Sequence, residues 1–134
     1  MANPKDAQFD SKGLATRRRV LGDAHVDRSL NNATDFDLEF QQFITRYAWN
    51  EVWSLPGLPS DVRSLITLAL LAALGREDEF RLHLRATANT GATPEQIKEM
   101  LFHVAVYAGV PAANTAFRLA RELLAEMNAT RAKA

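Results

Sequence analysis

The chain has 134 residues, 47% of them hydrophobic, and its 16 basic residues balance 16 acidic ones. This length suits one domain with a real core, and a net charge near zero argues against partners such as nucleic acid or an anionic membrane, which need a basic excess. The absence of cysteine excludes disulfides, thiolate metal sites and thiol redox catalysis. The N-terminus has no apolar signal segment and the longest apolar run is about half a membrane span, so we expect a soluble, cytoplasmic protein.

Helical periodicity and capping signals predict an all-α fold of about six helices, with no strand. Residues 1–10 are polar and expected to be loose, as is the tail 128–134, and His25 is placed in a loop after the first helix. The helix over residues 62–74 is apolar nearly all round, which predicts a central buried position. The predicted helices span approximately residues 12–21, 36–53, 62–74, 76–90, 94–108 and 112–127.

The fifth predicted helix has the clearest start. Thr93 is a natural N-cap, Pro94 fits the first helical position, and Gln96 completes a capping box. This helix is also apolar on two sides, because Phe102 and Val106 lie nearly opposite its core face. A second apolar side in so small a domain predicts a partner surface, and we therefore expect a homo-oligomer.

The fourth predicted helix carries the most informative group of side chains. Phe80 and Leu84 share its apolar face, while Arg76, Glu79 and His83 fall on the edge of that face. An acid and an imidazole four residues apart can simply form a surface pair worth a few tenths of a kcal/mol. Beside a hydrophobic surface they can instead act on one small molecule, because burial shifts pKa values and histidine exchanges protons near pH 7.

Other candidates have two interpretations each. His103 and Tyr107, four residues apart on the fifth helix, are either a hydrogen-bonded core or interface pair or a polar wall of the same pocket. Arg63 and Arg76 either form structural ion pairs or bind carboxylates bidentately. Trp53 is either a packing residue or part of a pocket wall.

No metal or nucleotide site is indicated. The three histidines are too scattered for a spacing such as His-Glu-x-x-His, and no phosphate loop, nucleophile elbow or nucleotide fingerprint occurs. The basic run at residues 17–19 is interpreted as a solvated helix face or a subunit contact. The residues alone therefore indicate an oligomeric all-α protein, and one interpretation of its function is a cofactor-free acid–base enzyme.

The chain resembles the carboxymuconolactone decarboxylase family over roughly residues 15–127. The segment Val-Leu-Gly-Asp-Ala-His-Val-Asp-Arg at residues 20–28 is similar to stand-alone decarboxylases of protocatechuate breakdown rather than to the broad superfamily. Alkylhydroperoxidase-like members of that superfamily carry a Cys-x-x-Cys pair where Arg76 and Glu79 stand here, so the thiol peroxidase reaction is not available. The other matching segments are residues 47–49, 53–58, 63–65, 75–85, 89–93 and 107–114.

The resemblance implies an alkylhydroperoxidase-like helical bundle, with one family domain over residues 1–134, that assembles as a trimer or hexamer. It also implies cofactor-free decarboxylation of 4-carboxymuconolactone to 3-oxoadipate enol-lactone in the β-ketoadipate pathway. The alternatives are a superfamily member that acts on another lactone and a non-catalytic protein that binds a small molecule.

The same resemblance suggests roles for the candidate residues. His83 is expected to donate the proton or stabilise the dienolate, with Glu79 tuning it or exchanging roles with it. Arg63 and Arg76 are expected to hold the substrate carboxylates, with Arg85 of a neighbouring subunit as an additional contributor. The expected substrate-binding residues are Arg63, Arg76, Arg85, His103, Tyr107 and Trp53. No metal or cofactor is expected.

Overall fold

A computed structural model describes residues 3–133, and all regular secondary structure in that range is helical, which confirms the all-α prediction. A 3-10 helix at Pro4–Gln8 precedes the first α-helix, and a π-helix at Thr45–Asn50 follows the third. The chain divides into two compact units, Met1–Pro59 and Ser60–Ala134. The α-helices are α1 (Ser11–Leu21), α2 (Asp23–Asn32), α3 (Leu38–Ile44), α4 (Ser60–Leu74), α5 (Glu77–Arg85), α6 (Thr87–Thr90), α7 (Pro94–Tyr107) and α8 (Val110–Lys133).

The first unit is held together around α1. The carboxylate of Asp10 caps this helix by accepting from the Gly13 amide at 2.7 Å, and it also accepts from the Asn50 side chain at 2.9 Å. Gly13 lies directly against the Thr45 carbonyl of the π-helix, a close approach that only a residue without Cβ permits. A small core beneath α1 and α2 consists of Phe9, Leu14, Val26 and Leu30.

Several expectations for this unit are wrong. The described part of the N-terminal stretch is not loose, since Pro4–Gln8 is helical and Phe9 is buried, and residues 1–2 lie outside the described residues. His25 lies on α2 and not in a loop, because Gly22, at φ 89°, ends α1 and at once serves as the N-cap of α2. The next predicted helix begins only at Leu38 and widens into the π-helix. Residues 3–133 contain more helices than the six expected, mainly because α2 is an additional helix and the predicted helix over residues 76–90 is divided into α5 and α6.

In the second unit, α4 packs against α5, α7 and α8. The capping box at the start of α7 is present as predicted, with Thr93 and Gln96 bonding reciprocally. Helix α8 continues to Lys133, so the predicted loose tail is helical as far as the description goes, and Ala134 lies outside it. None of the helices within residues 3–133 has the length and hydrophobicity needed to cross a membrane. The core of this unit is formed by Leu68, Ala72, Phe80, Leu84, Ile97, Leu101, Val104, Ala113, Ala116, Leu119, Ala120 and Leu123.

Two helices of this unit present apolar side chains to solvent. The prediction that α4 is centrally buried is wrong, because its buried residues form one stripe while Ile66 and Leu70 on its other side are exposed. On α7, Phe102 and Val106 are exposed as well, which confirms that this helix is apolar on two sides. In this protein, therefore, the helix whose sequence is apolar all round has one face in the core and the opposite face exposed to solvent.

Candidate active site

Helix α5 positions the acid and the imidazole singled out by the sequence. Phe80 and Leu84 are fully buried and fix the rotation of the helix about its axis. His83 then lies half-buried at the flank of the core, as expected. Glu79 and Arg76 are both exposed, so their predicted place at the edge of the core is wrong: Arg76 is the N-cap residue of α5, and Glu79 lies in its first turn.

Charge is ordered along α5. Three acidic residues occupy the first turn, and His83 and Arg85 occupy the last. This order complements the helix dipole, which favours acidic side chains at the N-terminal end and basic ones at the C-terminal end. Arg85 also reaches α8, where its guanidinium lies 3.6 Å from the Glu126 carboxylate. Arg85 therefore has a carboxylate partner in its own chain, and its expected contribution to a neighbouring subunit stays a prediction.

Arg76 is one of the residues that line a cavity of about 230 Å³. Gly75, at φ 71°, turns the chain between α4 and α5, and Arg76 follows as the exposed N-cap residue of α5. The cavity is small beside the roughly 300–1,000 Å³ usual for small-molecule sites. Its walls come from the end of α4, the start of α5 and the first turns of α8. One of the arginines expected to bind carboxylates thus lines a compact cavity.

Arg63 is held at the start of α4 by its neighbour in sequence. Ser64 is fully buried, and its hydroxyl oxygen lies 2.6 Å from the Thr90 hydroxyl oxygen of α6. This hydrogen bond ties the first turn of α4 to the segment that follows α5. Arg63 itself is half-buried, so its backbone is fixed while its long side chain keeps access to solvent.

His103 and Tyr107 line a different concavity. Their rings stack with centroids 6.1 Å apart on the flank of α7, and both residues are exposed. They border a groove of about 480 Å³ between α4 and α7. Apart from these two rings the groove is apolar, which makes it a poor place for a doubly charged substrate. Its lining comprises Leu65, Ile66, Ala69, Leu70, Ala73, Met100, His103, Val104, Tyr107 and Ala108.

The single pocket expected from the sequence is therefore not formed within this unit. Arg76 lines the cavity, whereas His103 and Tyr107 line the groove. Trp53 belongs to the first unit, where it is half-buried with its ring 5.2 Å from that of Trp49. The roles of His103, Tyr107 and Trp53 in substrate binding stay predictions.

The interpretation of the basic run at residues 17–19 as a solvated helix face is wrong for Arg17, whereas Arg19 is exposed, and a subunit contact of this run stays a prediction. Arg17 is buried, and it donates to the Thr45 hydroxyl at 3.1 Å and to the Gln41 side-chain oxygen at 2.9 Å. It shares the inward face of α1 with Gly13 and Val20. That spacing is the signal in the sequence that could have revealed its burial.

Arg18 is the centre of an ion-pair network. Its guanidinium lies 2.7 Å from Asp6, 3.0 Å from Asp23 and 2.7 Å from Asp27. Burial opposes its charged form, but the hydrogen bonds to these carboxylates prevail and raise the pKa of Arg18. The pKa of Asp27 is lowered by hydrogen bonds from Arg18 and Asn3. The network joins the 3-10 helix, α1 and α2.

His25 lies half-buried on α2. Burial, and after it the positive charges of Arg17 and Arg28, lower the pKa of this imidazole. All three influences disfavour the protonated form. The segment at residues 20–28 therefore contains a histidine that stays neutral at a pH where a free histidine gains a proton.

These features define an all-α protein whose second unit carries the candidate acid, imidazole and arginine side chains. The sequence pattern of the carboxymuconolactone decarboxylase family matches residues 39–122. The chain belongs to this family.

Relatives with assigned activities extend the match to nearly the whole chain. The 4-carboxymuconolactone decarboxylase of Acinetobacter baylyi is 52% identical over 122 residues, which cover 91% of each chain. The nitrosuccinic acid decarboxylase of Metarhizium robertsii is 39% identical over 119 residues, or 89% of this chain and 82% of that one. A 4-carboxymuconolactone decarboxylase sequence from Pseudomonas putida is 61% identical over 36 residues, 27% of this chain and 75% of that sequence.

Proposed function

We propose that this protein is a carboxy-lyase that converts 4-carboxymuconolactone to 3-oxoadipate enol-lactone and CO2, in the breakdown of protocatechuate. The observation that carries the proposal is the 52% identity, over 91% of both chains, to a decarboxylase of this substrate. The lack of cysteine agrees with it, because the thiol chemistry of the alkylhydroperoxidase-like relatives is excluded.

The reaction needs no bound electron acceptor. The departing carboxylate sits on a ring carbon that is conjugated, through the ring double bond, to the lactone carbonyl. When CO2 leaves, its electron pair moves into the ring and a dienolate forms on the lactone oxygen. Protonation of a ring carbon then gives the enol-lactone. The enzyme must hold the carboxylates, stabilise the developing negative charge and deliver the proton.

We assign these tasks to the side chains on and beside α5. Arg63 and Arg76 hold the substrate carboxylates, because guanidinium groups bind carboxylates through paired hydrogen bonds. His83 donates the proton or stabilises the lactone oxygen, and Glu79 orients it. The half-buried position of His83 supports its role, since a group at the flank of the core is positioned by packing and still reaches solvent.

The second relative suggests a second substrate. In 4-carboxymuconolactone and in nitrosuccinic acid alike, the carbon that bears a carboxylate also bears a carboxymethyl group and an electron-withdrawing group. Both are thus substituted succinates in which loss of that carboxylate leaves a stabilised anion, a dienolate in one case and a nitronate in the other. We infer that the chain also decarboxylates 2-nitrosuccinate, at a lower rate, because 39% identity to a protein that acts on it favours a shared dicarboxylate site.

The decisive experiment is a coupled assay with EDTA present. The lactone is generated in place from protocatechuate with purified dioxygenase and cycloisomerase, and both CO2 release and enol-lactone formation are followed. Turnover is expected from the wild type, and His83→Ala is expected to lower kcat by about 10²–10⁴-fold, the range for loss of a proton-transfer group. Arg81→Gln, on the outward side of the same helix, serves as the matched control.

Each outcome of this assay is informative. Intact turnover in His83→Ala would remove His83 from the mechanism and shift the role to Glu79, which Glu79→Gln tests directly. No turnover by a folded wild type with the lactone would overturn the proposed substrate. Parallel measurements with 2-nitrosuccinate, and with other lactones in a binding assay, would then separate a related enzyme from a small-molecule-binding protein.

We also propose that the protein acts as a homo-oligomer, a trimer or hexamer, in the cytoplasm. The exposed apolar side chains of α4 and α7 support assembly, because large contiguous apolar surfaces on soluble proteins usually mark interfaces. Light scattering coupled to size-exclusion chromatography gives the number of copies directly, and a monomer at micromolar concentration would contradict this part of the proposal.

A further inference from the structure

A row of aromatic side chains projects from the first unit. Phe40 and Phe43 lie on α3, Tyr47 follows in the π-helix, and Phe36 stands in the turn just before α3. Phe36 is 97% exposed, and the other three are exposed as well. The rings of Phe43 and Tyr47 stack with centroids 5.1 Å apart. We call these four side chains the aromatic ridge.

The groove between α4 and α7 in the second unit is the complementary feature. It has a volume of about 480 Å³, and Leu70, which is 58% exposed, and Ile66 form its α4 side. No Lys, Arg, Asp or Glu side chain is among the residues that line it. A concave apolar surface of this volume can accept aromatic rings, and it offers a dianionic substrate no cation.

The sizes of the two surfaces are compatible with a stable contact. A buried aromatic side chain removes about 150–250 Å² from solvent. At their observed exposures the four ridge residues would thus bring roughly 500 Å² to an interface, out of about 800 Å² per partner in a stable complex. Leu55 and Leu58, also exposed and apolar in the first unit, add to this area.

We propose that the aromatic ridge of one copy of this chain docks into the α4–α7 groove of a second copy. Because the two surfaces differ, two copies can each place a ridge in the other's groove about a two-fold axis, or the contact can repeat from copy to copy and close a ring. Pairing ridge with ridge would leave the groove exposed, whereas ridge-in-groove pairing covers both surfaces on every copy. This proposal does not depend on the identity of the substrate.

A complementation experiment tests the pairing. Phe36→Glu places a charge on the ridge only, and Leu70→Glu places one in the groove only. Each variant alone is expected to be monomeric by light scattering, because every contact then includes one altered surface. A mixture of the two is expected to form a one-to-one dimer, since the intact ridge of the Leu70→Glu chain can still enter the intact groove of the Phe36→Glu chain.

Cross-linking provides a second, independent readout in this cysteine-free chain. Glu39→Cys lies beside the ridge and Ala73→Cys lies in the groove, and both positions are exposed. A short bismaleimide should link the two variants when they are co-expressed with different tags, and should not link either variant to itself. Ala125→Cys, exposed on α8, is the matched control and should remain unlinked.

The proposal is overturned by any of three results: single glutamate variants that keep the wild-type assembly, a mixture that stays monomeric while both variants are folded by circular dichroism, or cross-links confined to identical variants. If a glutamate variant fails to fold, the cross-linking pattern alone decides. Activity plays no part in either experiment, so failure of the proposed reaction and failure of this interface are distinguishable.

Discussion

Substitution of Arg63 and Arg76 by lysine tests whether their guanidinium groups act in substrate binding or in the chemical step. Lysine keeps the charge but loses the planar pair of donors that matches a carboxylate. We therefore expect Arg63→Lys and Arg76→Lys to raise KM for the lactone by about tenfold or more, since a charge-assisted hydrogen bond contributes roughly 1.5–3 kcal/mol, and to change kcat less. Steady-state kinetics measures both, with Arg118→Lys, exposed on α8, as the control.

An unchanged KM in both variants would remove these arginines from substrate binding. A fall in kcat at constant KM would instead mean that the arginines act only on the transition state. Unchanged kinetics in Arg118→Lys would show that the loss of an exposed guanidinium elsewhere on the protein does not raise KM.

His25 is expected to make stability depend on pH. Its folded pKa lies below the ordinary value of 6.5, so between these two values the unfolded chain binds more protons than the folded chain. The resulting stabilisation is fully present above pH 6.5 and is lost as pH falls through the folded pKa. Acidification from pH 7.5 to 5 should therefore destabilise the wild type more than His25→Gln, as measured by urea unfolding. Parallel losses in the two proteins would contradict this assignment.

At the scale of residues, the sequence predicted the direction of side chains on their helix more reliably than it predicted their burial. Phe80 and Leu84 were placed correctly in the core, and His83 correctly at its flank. Glu79 and Arg17 were misjudged, because helical periodicity gives the direction of a side chain but not which element covers it. The burial of Arg17 depends on acceptors from the Thr45 region, more than 20 residues away.

The contact between α1 and the π-helix predicts an asymmetry between two glycines. A Cβ at Gly13 would overlap the Thr45 carbonyl, whereas a Cβ at Gly57 would meet nothing within 4 Å. Gly13→Ala should therefore lower the free energy of unfolding by about 1–3 kcal/mol, as overpacking does, even though alanine favours helices. Gly57→Ala, the control, should leave it within about 0.5 kcal/mol.

Chemical denaturation of both variants checks this expectation. Equal stabilities for Gly13→Ala and the wild type would mean that α1 can shift away from the π-helix without loss of packing.

Among the elements, those with local signals were predictable. Helix α7 begins where its capping box predicts, and α1 ends at Gly22 as expected. Helix α2 was missed because a glycine that ends one helix can also cap the next. The π-helix was missed because its wider turn reflects packing against Gly13 and Arg17, which no local pattern encodes.

For the whole molecule, the exposed apolar surfaces predict that stability depends on protein concentration. If assembly buries the ridge and the groove, mass action stabilises the folded state as concentration rises. The melting temperature should therefore increase over a hundredfold range of concentration, and the Leu70→Glu variant should show no such increase. A wild-type melting temperature independent of concentration would argue for a stable monomer.

The all-α class and the family were accessible from the sequence, whereas the arrangement of the candidate site was not. Arg76, His83 and His103 were each recognised as candidates, but the structure places Arg76 at a cavity and His103 in a separate groove. Side chains on neighbouring helices converge only when the crossing of those helices turns them together, and periodicity within one helix carries no information on that crossing.

The paired indole rings of Trp49 and Trp53 have a spectroscopic consequence. They are the chain's two tryptophans, and both lie in the unit Met1–Pro59. Intrinsic fluorescence excited at the red edge of the absorption band therefore reports on that half of the polypeptide alone, while far-ultraviolet ellipticity averages over every helix. Melting curves can therefore be recorded with both signals on the same sample. A difference between the two midpoint temperatures measures how independently the two halves lose their structure.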